Sequence, residues 1–346
     1  MRRSFLFLIG LATLMLMPFS APAQTDGETA ANVTFFRIAT GETTATYYAI
    51  GSEIAAAISN PPGGTDCGDG GACGVPGLLA AALASEGSVQ NIRALRDGRV
   101  ESGLAQADIA HSAQTGGPGW HGDAQAGQLR AIAALYPEAI HLVARADSGI
   151  TSIADLAGKR VSINQPGSGT RIDAQLVLQA AGLPDNRLIL SELPVDQAAR
   201  QLREGGLDAL FMVGGWPVAG LTALAGQTDI TLVPIEGPLA DRLLTQHPFF
   251  RRETLPAGTY PGQHGDVQTL SVAALWLTTA DQPDQLIHDI TRVLWNDYTQ
   301  QQLLESHPAA HAIARERALQ GLSVPLHPGA AAYYRGAGLL KGATPP

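Results

Sequence analysis

The sequence predicts an α/β protein of two similar lobes joined by hinge strands. Three observations carry this: a strand, polar turn and helix N-terminus recur in two regions, roughly 33–137 and 146–262; a second segment recurs inside each region; and compact apolar runs lie between them. The second recurrence is in register. Arg96-Asp97-Gly98-Arg99-Val100-Glu101-Ser102-Gly103-Leu104 ends one helix and begins a strand, as does Arg203-Glu204-Gly205-Gly206-Leu207-Asp208-Ala209-Leu210-Phe211. The expected division is a leader over 1–23, a first lobe over 32–138 with 279–346, a second lobe over 146–262, and hinge strands over 139–145 and 263–278. Two crossings make a bending joint rather than a loose tether.

The N-terminus argues for export. Arg2 and Arg3 precede an almost unbroken apolar run over 5–17, and Ala21-Pro22-Ala23 offers a small-x-small cleavage pattern. That is the layout of a secretory signal peptide, with an apolar part short for a membrane span. Cleavage is expected after Ala23, leaving a mature chain with no membrane insertion, located in the periplasm. Cys67 and Cys73 are the only cysteines. In an oxidising compartment they are expected to pair as a disulfide; free thiols or a metal remain alternatives.

The first helix is read from Tyr47, Ile50, Ile54 and Ile58, spaced three and four apart and stopped by Asn60-Pro61-Pro62. Pro166-Gly167-Ser168-Gly169-Thr170 opens a second, with Ile172, Leu176 and Ala180 as its apolar stripe, Gly182 as cap and Pro184 as stop. Leu286, Ile290, Val293 and Leu294 form a helical stripe in the tail, expected to lie on the first lobe.

Composition excludes some functions. The formal charge is −9, and removing Arg2 and Arg3 makes it more negative, so nucleic acid is a poor partner. Gly167-Ser168-Gly169 is not a nucleophile elbow, and the glycine turns lack both P-loop and dinucleotide signatures. His307 and His311 lie four apart without a metalloprotease motif around them; Glu42 reads most simply as a solvent-facing carboxylate, the alternative being a charge beside the threonine turn that repels a dicarboxylate or binds an amino group. The chain is therefore not read as an enzyme, and no cofactor or metal is expected.

Binding is the better reading. Thr40, Thr43, Thr44 and Thr46 beside Gly41, and Ser168 and Thr170 beside Gly167 and Gly169, sit at expected helix N-termini, where unpaired N–H groups and the helix dipole favour an anion. Each turn alone is equally well an ordinary N-cap.

At these residues the chain resembles the TAXI family of solute-binding proteins of TRAP (tripartite ATP-independent periplasmic) transporters. Thr40, Gly41, Thr43, Thr46, Tyr47 and Tyr48 match the family's opening motif, which carries glycines where this chain has Ala39, Glu42, Thr44 and Ala45. Further matches are Gly87-Ser88-Val89-Gln90-Asn91, Leu104-Ala105-Gln106-Ala107-Asp108, Leu135-Tyr136-Pro137-Glu138, Pro166 to Arg171, Val213-Gly214-Gly215 and Pro256 to Gln263. The resemblance implies a type II-like periplasmic binding protein that passes a small carboxylate-bearing solute, such as glutamate, glutamine or 2-oxoglutarate, to TRAP membrane subunits driven by an ion gradient. It implies ligand contacts from Gly41, Thr43, Thr46, Tyr47, Tyr48 and Gln106 in one lobe and from Ser168, Gly169, Thr170, Gly214 and Gly215 in the other, with Tyr136 as a floor. A periplasmic sensor for a membrane kinase and a two-lobed enzyme are the alternative readings.

Overall fold

The computed structural model describes residues 33–63, 74–117, 120 and 128–340. The expected leader and the Cys67–Cys73 loop lie outside the described residues. β1 (Thr34–Ala39) leads through a threonine-rich turn into α1 (Thr46–Ile58), followed by two short paired strands, β2 (Ser59–Asn60) and β3 (Val75–Pro76). Then come β4 (Leu78–Leu83), α2 (Ser88–Arg96), β5 (Ser102–Gln106), α3 (Ala107–Thr115) and the long β6 (Leu129–Arg145). Beyond it lie β7 (Arg160–Ser162), α4 (Gly169–Ala180), β8 (Ile189–Ser191), α5 (Val195–Arg203), β9 (Ala209–Gly214) and α6 (Ala219–Ala225). β10 (Ile230–Leu232), α7 (Gly237–Gln246) and β11 (Arg251–Leu255) precede the second long strand, β12 (Val267–Thr279). The chain closes with α8 (Asp284–Leu294), α9 (Asp297–Ser306) and α10 (Pro328–Gly336).

The sheet order is β4-β1-β5-β12-β6-β9-β7-β8, with β10 pairing β6 and β11 pairing β12. β1 is parallel to β4 and β5, and β7 is parallel to β8 and β9. Between these parallel sets run β12 and β6, antiparallel to each other. The last residues of β12 pair β5, while the second half of β6 pairs β9. β12 thus joins the first parallel set and β6 the second, and the two long strands pair with each other. The apolar run at 139–145 is the second half of a strand of 17 residues, about three times the usual length. Its residues are buried almost without alternation, because both faces of this part of the sheet are covered.

The recurrence seen in the sequence has a counterpart in side-chain geometry. Arg37 in β1 donates to Glu101 through its backbone N (2.6 Å), Nε (3.0 Å) and Nη2 (2.6 Å). Arg160 in β7 makes the same three bonds to Asp208, at 2.9, 3.1 and 2.6 Å. Glu101 and Asp208 hold equivalent places in the two recurring segments. Each carboxylate precedes the strand beside its arginine and locks the parallel pair by a forked contact. The preceding helices also end alike, with Gly98 (φ 65°) and Gly205 (φ 75°) in the left-handed region that a side chain disfavours.

Two apolar clusters flank the described sheet at its ends. Ile50, Ile54 and Ile58 of α1 meet Ile287, Ile290, Val293 and Leu294 of α8, all fully buried. Each such side chain contributes roughly 1.5–3 kcal/mol by leaving water. On the β9 side, Val195, Ala198 and Leu202 of α5 pack with Val143, Leu210 and Met212. α4 differs from its expected stripe: Ile172, Leu176 and Ala180 are only half-buried, and the buried face is Thr170, Asp173, Ala174, Val177 and Leu178. A buried aspartate sits where apolar periodicity assigns the solvent face, which displaces the stripe by one position.

Candidate functional site

Four helices of the described chain begin at one small cavity. Their N-cap residues, Ala45 for α1, Gly87 for α2, Gln106 for α3 and Ser168 for α4, all line it. None of the four caps its own helix with a side-chain hydrogen bond. Each helix start carries unpaired N–H groups and roughly half a positive charge, so convergence of four favours an anion. The cavity measures about 40 Å³, room for a few water molecules.

The close approach of these turns depends on glycine. Gly87 has φ 122°, and a Cβ there would lie 3.4 Å from Ser168 Cα. A Cβ on Gly169 would overlap Gln106 Oε1 and stand 3.0 Å from Ser88 Oγ. The turns are tied directly as well. Thr46 Oγ1 donates to the Gly215 carbonyl at 2.6 Å, Gln90 N to Gly167 O at 3.0 Å, and Gly220 N to Thr44 O at 3.2 Å. Gln106 Nε2 donates to Asp173 Oδ2.

Glu42 contributes to the same closure. It does not point away into solvent: its carboxylate accepts from Val195 N at 2.9 Å and Gln165 Nε2 at 3.1 Å. Burial, which outweighs the Val195 N–H, pushes its carboxyl up to about 7.

Three acidic residues, Glu42, Glu86 and Glu138, line the cavity. Glu138, 2% exposed, accepts from the Tyr47 hydroxyl at 2.8 Å, and burial holds its carboxyl well above the usual range. Behind Gln106, Asp173 and Asp108 lie side by side, each with a buried Oδ1 that no donor from another residue type reaches. Burial raises both carboxyls, Asp173 further. No Lys, Arg or His is among the residues lining the cavity.

The structure brings Gly41, Thr46, Tyr47, Gln106, Ser168, Gly169, Thr170 and Gly214 to the cavity. Thr43 is exposed and Tyr48 half-buried, and neither lines it. Gly215 supplies its carbonyl to Thr46 but stands behind the wall, and Tyr136 packs against Gly215, where a Cβ would come within 2.8 Å of its ring. Tyr136 is not among the residues lining the cavity, and its hydroxyl is buried without a partner among the described residues. Thr170 Oγ1 accepts from Val213 N at 3.0 Å and so holds the α4 turn to β9. Sequence reasoning weighed Glu42 only as a charge beside the site and did not name Ala45, Glu86, Gly87, Ser88, Glu138, Asn164, Met212 or Val213 as wall residues, nor Asp173 behind them. Ser88 and Glu138 stand inside recognised motifs, which was the available signal. Asn164 has φ 70°, a backbone state legible only in the fold. His307 and His311 make separate local contacts, the ring of one accepting from Ala309 N and the backbone carbonyl of the other accepting from Arg317, and no metal-binding cluster occurs among the described residues.

Comparison with known proteins agrees with this architecture. The sequence pattern of the NMT1-like family matches residues 38–338. The chain belongs to the NMT1-like family. Among solved structures, this NMT1-like chain is similar to a protein of Bordetella bronchiseptica RB50, at 17% identity and TM-score 0.50, over 85% of this chain and 83% of that one. It also matches the periplasmic aliphatic sulphonate binding protein SsuA from Escherichia coli, at 16% identity and TM-score 0.43, over 87% and 82%. A third match comes from work on glutathione import through GshT and the cystine ABC importer TcyBC of Streptococcus mutans, at 14% identity and TM-score 0.47, over 82% and 98%. These likenesses are of fold. No helix among the described residues is long and apolar enough to cross a membrane.

Proposed function

We propose that this NMT1-like chain is a periplasmic solute receptor that closes around a small carboxylate-bearing molecule and presents it to a membrane transporter. The observation that carries the reading is the meeting of four helix N-termini at one cavity between the β1 and β9 sides of the sheet. Membership of the NMT1-like family and the printed roles of the matched binding proteins agree with it. The solute's carboxylate rests at the start of α4, where the Ser168 hydroxyl lines the cavity and caps nothing. Tyr47 and Met212 supply the apolar wall. The first lobe comprises β1 to α3 with the tail helices, the second β7 to β11, and β6 and β12 act as the joint. Ligand favours the closed form by the contacts it makes only there, and no bond in the ligand changes. The run of TAXI-like motifs favours TRAP subunits as the membrane partner.

A thermal-shift screen of the mature protein against amino acids, keto acids and dicarboxylates tests this. A binder at a hundred times its Kd adds about 2.7 kcal/mol of apparent stability. The shift should vanish in Ser168→Ala combined with Tyr47→Phe and persist in Thr43→Ala, whose side chain is exposed outside the cavity. A hit that survives the double substitution would place the ligand elsewhere.

A further inference from the structure

We propose that the solute held in this cavity carries a positively charged amino group and that Glu138 is its counter-ion. The proposal rests on the receptor reading above and narrows it: amino-bearing acids are ligands, while keto acids and dicarboxylic acids of the same skeleton are not.

The argument is one of charge balance. Glu138 reaches the cavity wall from the middle of β6 and is 2% exposed. Its one hydrogen-bond donor among the described residues is the Tyr47 hydroxyl, which is neutral. The other titratable groups facing it are Asp108 from α3, Tyr47 from α1 and Tyr136 from its own strand, with Asp173 of α4 beside Asp108. Glu42 and Glu86 also line the cavity. Every ionisable group lining the cavity is thus an acid or a phenol, and the only positive potential comes from the helix starts. A buried carboxylate without a cation is costly to ionise. A solute with only negative groups would add to that cost, whereas an ammonium would remove it.

Ser168 is an independent observation. Its side chain is 4% exposed, lines the cavity, and makes no hydrogen bond at the helix start it occupies. An unpartnered hydroxyl in so closed a place calls for a ligand group. Glu138 and the α4 start therefore offer one site for a cation and one for an anion within a single cavity. A zwitterion satisfies both. An ammonium group is about the size of one of the waters for which the cavity has room.

Proton exchange makes the proposal testable. Burial keeps the Glu138 carboxyl well above its ordinary range in the empty site. A bound ammonium lowers it, so binding releases a proton and tightens as pH rises; a bound dicarboxylate would take one up and loosen. Calorimetric titrations of the mature protein with matched pairs, L-glutamate against 2-oxoglutarate and L-alanine against pyruvate, at pH 5 and 8 and in buffers of different ionisation heat, read both effects. The expected result is at least tenfold tighter binding of the better amino member than of its keto partner, with proton release. Glu138→Gln should abolish the release and the preference while L-glutamate or L-alanine still gives residual heat. Wild-type proton release stands as evidence even if that variant folds poorly. Equal or tighter binding of the keto acids, or proton uptake, would overturn the proposal and leave the receptor reading in place. Silence with all four probes and with every compound of the wider screen would overturn both.

Discussion

Glu42 shows how one side chain joins local chemistry to closure. In the turn before α1 it reaches Val195 N and Gln165 across the site, and burial raises its carboxyl to about 7. An unfolded glutamate loses its proton near 4.5, so the folded chain holds one proton more between about pH 4.5 and 7. Stability from this group is therefore present at low pH and declines as pH rises through that window. Partial exposure reduces the effect to the order of 1–2 kcal/mol. Buried His141 acts in the opposite sense. Its Nδ1 faces the Met212 carbonyl, its Nε2 faces the Tyr260 hydroxyl, and burial lowers it to about 4. It costs stability as pH falls from 6.5 towards 4. Comparing wild type with Glu42→Gln separates the two: the variant should show a smaller loss of melting temperature from pH 5 to 7.5, and identical slopes would remove Glu42 from this role.

At the scale of elements, the decisive feature is that α1, α2, α3 and α4 begin within one cavity's wall without side-chain caps of their own. The cost of leaving those first turns uncapped, about 1 kcal/mol each, is tolerated where a ligand or a facing turn completes them. Gly169 makes the approach of α4 possible. Gly169→Ala, whose methyl would overlap Gln106 Oε1, should weaken ligand binding at least tenfold while the helix itself, in which alanine is favoured over glycine, stays intact. Titration of the ligand from the thermal-shift screen, with far-ultraviolet circular dichroism as the fold control, checks this. Unchanged affinity would show that the α4 turn need not come so close.

For the whole molecule, β6 and β12 decide how the two parallel sets of strands are related, since β12 is bonded to β5, β6 to β9, and the two long strands to each other. The bonds from Thr46 to Gly215 and from Gln90 to Gly167 then hold the sides together at the cavity. A bond of this kind contributes about 1 kcal/mol net, so Thr46→Val should raise the population of an opened form about five-fold. Small-angle scattering should give a larger mean radius of gyration for the variant without ligand, with saturating ligand returning it towards the compact value. A radius that ligand leaves unchanged in both proteins would argue against bending at these strands.

Much of this was legible in the sequence because it is local. The Ile50-Ile54-Ile58 spacing specifies a helix face, the recurring Arg96 and Arg203 segments specify two equivalent helix-to-strand passages, and the small polar turns specify helix starts. The polar turns pointed to Gly41, Thr46, Ser168, Gly169 and Thr170, and the family resemblance to Tyr47, Gln106 and Gly214, all of which line the cavity. These signals failed where a side chain's role depends on what lies far along the chain. Asp173 reads as solvent-facing until α4 is set beside Gln106 and Asp108, and Glu42 until its turn meets Val195, 153 residues away. Thr43 and Thr46 look alike in the sequence, yet the helix turns one inward and leaves the other exposed. The sequence by itself determined the elements and which turns bear polar groups. Only the tertiary structure decided which of those groups share a cavity and what charge they lack, because burial and counter-charge are properties of distance through space and not of position along the chain.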